Sequence, residues 1–175
     1  MRKLITISTL IAPVLLLVFA GCGSQKTRKA AEELMLTGEK NKEFFTAFTE
    51  DFWNKHNIAA FDKYFAENYI GHSASGDANF EQTKSEAQAY FTAFPDLHIT
   101  TDLLVAEGDK VTKVFTVNCT HKGELMGIPA TGKRITVKGL EVIRIADGKI
   151  VEIWGSMDNL GMLQQLGVIP PLGGE

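Results

Sequence analysis

The sequence predicts an α+β domain in which helices cover one face of a curved antiparallel sheet. Three patterns carry this expectation. Aromatic and apolar residues recur at helical spacing between residues 41 and 94, the apolar period shortens to two beyond Pro95, and glycine-containing turn dipeptides punctuate the second half.

Phe44, Phe45, Phe48, Phe52 and Trp53 line one face of a first helix. A second helix is expected through Phe61, Tyr64 and Phe65, ending near Asn68. A short strand over residues 69–73 follows, then a loop at Ser75-Gly76-Asp77. Residues 80–94 read as a third helix closed by Pro95-Asp96. Residues 98–107 form a strand that turns at Gly108-Asp109. Val111, Phe115, Val117 and Cys119 then alternate with polar Thr112, Thr116 and Asn118 along the next strand. Residues 135–146 and 149–157 pair as a hairpin across Asp147-Gly148, a strong turn dipeptide. Asp158-Asn159 caps a last helical turn through Leu160, Leu163 and Leu166.

The N-terminus carries an address. Arg2 and Lys3 precede an apolar run over residues 4–20, which is broken by Pro13 and ends in Phe19-Ala20-Gly21-Cys22. A charged start, an apolar middle and small residues at the exit mark a secretory signal peptide. Small residues directly before a cysteine resemble the lipobox of bacterial lipoproteins. That resemblance implies cleavage after residue 21, acylation of the Cys22 thiol, and a membrane-anchored protein outside the cytoplasm. A plain signal peptide or an uncleaved anchor is the alternative, although the run is shorter than the roughly 20 residues that span a bilayer. Residues 22–40 are polar and charged, with a weak helical stretch at residues 30–36, and read as a tether. The domain proper is expected over residues 41–170.

Composition narrows the function. The 175-residue chain has a formal charge of −3, and loss of Arg2 and Lys3 with the signal makes it more acidic. Its basic residues are scattered, which excludes a nucleic-acid footprint. With Cys22 acylated, Cys119 is left without a disulfide partner and reads as a buried structural thiol. The histidines at positions 56, 72, 98 and 121 show no H-x-x-x-H spacing, so no metal site is expected. Gly127-Ile128-Pro129-Ala130-Thr131-Gly132-Lys133 imitates a phosphate-binding loop, but Arg134 replaces the magnesium-holding hydroxyl and a strand follows instead of a helix. It reads as a turn between strands.

A set of motifs occurs in order: Phe94-Pro95-Asp96-Leu97, Ala106-Glu107-Gly108-Asp109-Lys110-Val111, Thr120-His121-Lys122-Gly123-Glu124, and the Met126 to Lys133 turn. Arg144-Ile145, Asp147-Gly148-Lys149-Ile150, Glu152-Ile153-Trp154, Asp158 and Gln164-Gln165-Leu166-Gly167 complete it. Over residues 41–168 the chain resembles the SnoaL-like polyketide cyclases, or ester cyclases, of the NTF2-like superfamily. The resemblance implies a cone of curved antiparallel sheet wrapped by helices around a deep apolar pocket, which would take an apolar small molecule. It implies intramolecular aldol ring closure without metal or organic cofactor, and homodimers as a common assembly. It also implies that Asp158 matches the family's general acid/base and that His72 stands at a frequent histidine position.

The residue types suit such chemistry. Ring closure removes a proton beside a carbonyl and delivers one to the new alkoxide, and a positioned carboxyl can do both. Alternation from Ile150 places Glu152, Trp154, Ser156 and Asp158 on one face, so Glu152 and Trp154 are expected to line the pocket. His72 and His121 are candidate donors to a substrate carbonyl. The capping role of Asp158 stands beside the catalytic one. Two functions remain open from the sequence: an acid/base cyclase or isomerase, and a non-catalytic envelope binder of an apolar ligand or a protein partner.

Overall fold

A computed structural model describes residues 25–73 and 75–170. The expected signal peptide, Cys22 and the start of the expected tether lie outside the described residues.

Helix α1 (Gln25–Phe48) runs as one continuous element, so the weak helical stretch at residues 30–36 is part of a long helix. Most of its first three turns are exposed. The buried Gly38 lies against Ala106, where an added Cβ would sit 3.5 Å from the alanine methyl. Beyond Phe48 the helix widens into a π turn, Thr49–Asn54, with Lys55 N–H donating to the Glu50 carbonyl and Asn57 N–H to that of Phe52. This widening keeps Phe45, Phe48 and Phe52 in one buried file with ring centroids 5.9 and 5.4 Å apart.

The second helix is shorter than expected. A 3-10 turn, Ile58–Ala60, leads into α2 (Phe61–Tyr64), and strand β1 (Phe65–Ser73) begins at once. Phe61 and Phe65 stack at 4.0 Å across that junction, and Phe65 meets Phe48 edge-on at 5.5 Å. An aromatic run at helical spacing therefore reads as helix from the sequence, while packing on two sides of the seam imposes the change to strand. The expected loop at Ser75-Gly76-Asp77 holds a further short strand, β2 (Gly76–Asn79). Helix α3 (Phe80–Ala93) opens with a capping box: Asn79 Oδ1 accepts from Gln82 N–H and Gln82 Oε1 from Asn79 N–H.

Strands β3 (His98–Glu107), β4 (Lys110–Thr120), β5 (Arg134–Ala146) and β6 (Lys149–Met157) follow the expected bounds closely. The six strands order as β2-β1-β6-β5-β4-β3. Every neighbouring pair is antiparallel except β1 with β6, which is parallel. The β5–β6 turn has Asp147 and Gly148 at φ 51° and 72°, the backbone that this dipeptide favours. The phosphate-loop mimic is a turn region that delivers the chain into β5. Helix α4 (Asn159–Leu166) closes the domain. The α+β expectation, with helices on the concave face of an open curved sheet, is what the fold shows.

Asp96 explains the Phe94-Pro95-Asp96-Leu97 motif. Its Oδ1 accepts from Thr120 N–H at 2.7 Å and its Oδ2 from the Thr120 hydroxyl at 2.6 Å, tying the end of α3 to the end of β4. These bonds hold the Asp96 carboxyl below its ordinary pKa.

Two apolar clusters fill the concave side. The first joins the α1 phenylalanines to Phe61, Phe65, Tyr69 and Phe91, and the second gathers Phe94, Leu97, Phe115, Val117, Ile135 and Val137. Phe52 is fully buried and contacts Trp53, Phe61, Phe65 and Phe91. Phe52→Ala is expected to destabilise the domain by about 3–5 kcal/mol in denaturant unfolding. A loss below about 1 kcal/mol would show that this seam does not bind helix to sheet.

Candidate functional site

The second apolar cluster is not solid. A partly open apolar cavity of about 140 Å³ lies within it, which is ample for a small organic molecule, since a single water needs roughly 10–15 Å³. Trp53, Tyr90 and Phe94 form its helical wall, and inward residues of β4 and β5 form its sheet wall. Met157 and Met162 close the end where β6 passes into α4. Gly139 shapes the sheet wall, because a Cβ there would stand 2.5 Å from the Phe115 ring that lies across it. Cys119 lines the cavity, and burial pushes its thiol up to about 11, as expected of a structural cysteine and not of a nucleophile.

Glu141 is the one charged residue in this wall among the described residues. Its Oε1 accepts from the ammonium of Lys113 at 2.8 Å, its directly opposed neighbour on β4. Lys113 is almost fully buried and also donates to Thr49 Oγ1 at 3.0 Å. Sequence reasoning missed both residues, although the signal was present. Lys113 occupies the inward position between Val111 and Phe115, and Glu141 the one between Gly139 and Ile143. Two opposite charges breaking the apolar alternation of adjacent strands mark an inward-facing pair.

The sequence-predicted residues fall into three places. His72, Glu152 and Trp154 come together, but not in the cavity. His72 stacks on Trp154 at 5.0 Å, its Nδ1 lies 3.0 Å from Asp77 Oδ1, and its Nε2 lies 3.6 Å from Glu152 Oε1. Glu152 in turn accepts from Arg144. The expectation that Glu152 and Trp154 line the pocket is corrected by a bulge. Ile145 pairs with Ile150, whereas Arg144 pairs with Glu152, so one extra residue at Val151 reverses the facing of everything after it. Ile150 points into the core, and beyond the bulge Ile153 and Met157 take the inward positions. Glu152, Trp154 and Ser156 thus share the outer face. His72 also borders a wider, open groove of about 500 Å³ between α3 and the β1–β2 hairpin, and Tyr90 separates that groove from the cavity.

His121 is wholly buried, yet it is absent from the cavity wall. It packs on Phe94, and its Nδ1 accepts from Thr131 N–H at 3.3 Å. Backbone bonds from His121 N–H to the Lys133 carbonyl and from Gly132 N–H to the His121 carbonyl complete a clasp on the β4–β5 connection. Asp158 is exposed and caps α4, its Oδ1 accepting from Gly161 N–H at 2.8 Å. It stands between Met157 and Met162 in the chain but is not itself in the cavity wall. Among the described residues no cluster of histidine, cysteine and acidic side chains could hold a metal ion.

An open curved sheet with helices on its concave face and an apolar cavity between them defines a small-molecule pocket fold. The chain belongs to the SnoaL-like polyketide cyclase family, whose model matches residues 44–166. It is similar to the aklanonic acid methyl ester cyclase DnrD of Streptomyces peucetius, with 47% identity over 47 residues. That match covers 27% of this chain and 32% of DnrD, so it spans about a third of the curated relative. Among solved structures, AclR of Streptomyces galilaeus superposes with a TM-score of 0.71 at 27% identity, covering 77% of this chain and 85% of AclR. TsrD of Streptomyces laurentii superposes at 0.63 with 28% identity, covering 81% and 98%.

The outer cluster is sensitive to pH. The hydrogen bond to Asp77 raises the pKa of His72, with Glu152 adding to the effect, and the Arg144 guanidinium holds the Glu152 carboxyl low. A raised histidine pKa gives stability that is present below the unfolded value of about 6.5 and is lost as pH rises through the folded one. Asp77→Asn is expected to lower the His72 pKa in an NMR titration. An unchanged midpoint would show that Asp77 does not bias its protonation.

Proposed function

We propose that this chain is a cofactor-free acid/base catalyst that cyclises or isomerises a small apolar carbonyl compound. The apolar cavity carries the reading: it offers a flat substrate an apolar lining and holds one carboxylate in its wall. Family membership supports ring closure, and DnrD is named for that reaction on aklanonic acid methyl ester. Such a reaction needs a base beside a carbonyl and an acid for the alkoxide, and neither role needs a metal. Asp158 is the position that matches the family's acid/base. It adjoins the cavity's methionine end, and its helix cap occupies Oδ1.

The predicted readout is exchange of the α-protons of 2-tetralone in deuterium oxide, followed by NMR. The full chain should accelerate it, and Asp158→Asn should slow it by about a hundredfold or more with the fold retained. Equal exchange by the variant would remove Asp158 from the mechanism. A non-catalytic ligand carrier is the second reading, favoured by the engagement of Asp158 in the α4 cap. That reading requires no exchange above background from the wild-type chain.

We further propose that the protein works outside the cytoplasm, held to a membrane by lipid on Cys22. The Phe19-Ala20-Gly21-Cys22 run supports this. Labelled palmitate should enter the wild-type chain in a bacterial host and not Cys22→Ser, and label retained by the variant would refute it.

A further inference from the structure

The Lys113–Glu141 pair has no part in a purely structural account of the cavity. Two apolar residues at these opposed positions would complete the alternation of β4 and β5 without burying the Lys113 ammonium and half-burying the Glu141 carboxylate, and replacing a buried ion pair in this way is often neutral or stabilising. The pair is also asymmetric. Lys113 is satisfied on every side by the Glu141 carboxylate, the Thr49 hydroxyl and the face of the Phe45 ring 4.4 Å away, and it does not line the cavity. The Thr49 hydroxyl donates a hydrogen bond to the Phe45 carbonyl at 3.0 Å, which leaves its oxygen lone pairs to accept from the ammonium. Glu141 does line the cavity, with Oε1 turned to the lysine.

We propose that Glu141 is a ligand-recognition group that accepts a hydrogen bond from a hydroxyl of a neutral, flat, apolar molecule, and that Lys113 is its positioning residue. A carboxylate in an otherwise apolar wall gains most from a strong neutral donor. It repels an anionic ligand, while a purely apolar one would leave the carboxylate desolvated and without a donor from the cavity. The ligand class is therefore a phenol, an enol or a hydroxylated ring. The register-matched ammonium fixes the carboxylate in one rotamer before the ligand arrives, so the ligand does not bear the cost of ordering it. The inference rests on the cavity being the ligand site, as proposed above, but not on catalysis or on Asp158.

Phenol and toluene, which are nearly the same shape, provide the test by calorimetric titration of the full chain. The wild-type protein is expected to bind phenol about tenfold or more tighter than toluene, a margin typical of one charge-assisted hydrogen bond. Lys113→Met/Glu141→Leu, which exchanges the ion pair for apolar packing and so protects the fold, should keep toluene binding and lose the preference. Lys113→Arg should retain the preference and Lys113→Met should lose it, a difference that a merely structural lysine would not produce. Equal binding of the two probes by the wild type, or a preference that survives in the double variant, overturns this inference and leaves the cavity as a binding site. Binding of neither probe overturns both.

Discussion

The file of Phe45, Phe48 and Phe52 against Phe61 and Phe65 is the contact on which the rest of the molecule depends. These rings are all buried, and they join the helical layer to the first strand across a single turn of chain. Dispersion between rings a few ångströms apart is collectively large, and each buried phenylalanine removes extensive surface from water. The π turn at Thr49–Asn54 serves this seam, because it allows Phe52 to continue the file while Trp53 turns toward the second cluster. With the helices anchored at this end, the far end of the sheet curves away and leaves an apolar cavity.

The void stays open because its wall is built from residues that are individually well held. Gly139 gives way to the Phe115 ring, Asp96 ties β4 to α3, and the clasp around His121 fixes the connection into β5. These contacts hold the wall residues in place, so the cavity is a property of the frame. Buried His121 and exposed Asp158 both take part in this frame, and each makes scaffold contacts at a position that the sequence marks as a candidate functional residue.

Charge is partitioned between the two faces of the sheet. The outer face carries a solvent-screened network of His72, Asp77, Glu152 and Arg144, in which the pKa of His72 is raised by its carboxylate neighbours and that of Glu152 lowered by Arg144. The inner face carries Lys113 and Glu141, where the ammonium is almost fully buried and the carboxylate half-buried, so the pairing is less screened. A carboxylate outside the cavity and a carboxylate inside it therefore differ in what they can do, although both are acidic residues on strands.

Much of this was legible from the residues alone. The period switch at Pro95, the Asp147-Gly148 turn and the Asp158 cap marked strands β3 to β6 and the last helix almost to the residue, because local alternation and turn chemistry act within a few positions. Even the Lys113–Glu141 pair is written as two breaks in alternating apolar runs. The facing of Glu152 and Trp154 was not legible. One bulged residue at Val151 inverts it, and a bulge depends on how β6 must twist between β1 and β5, which no local pattern records. The early end of α2 and the parallel pairing of β1 with β6 have the same origin. Sequence by itself determined which residues prefer helix, strand or turn; only the tertiary structure decided which side of the sheet each side chain serves, because facing is set by register between strands far apart in the chain.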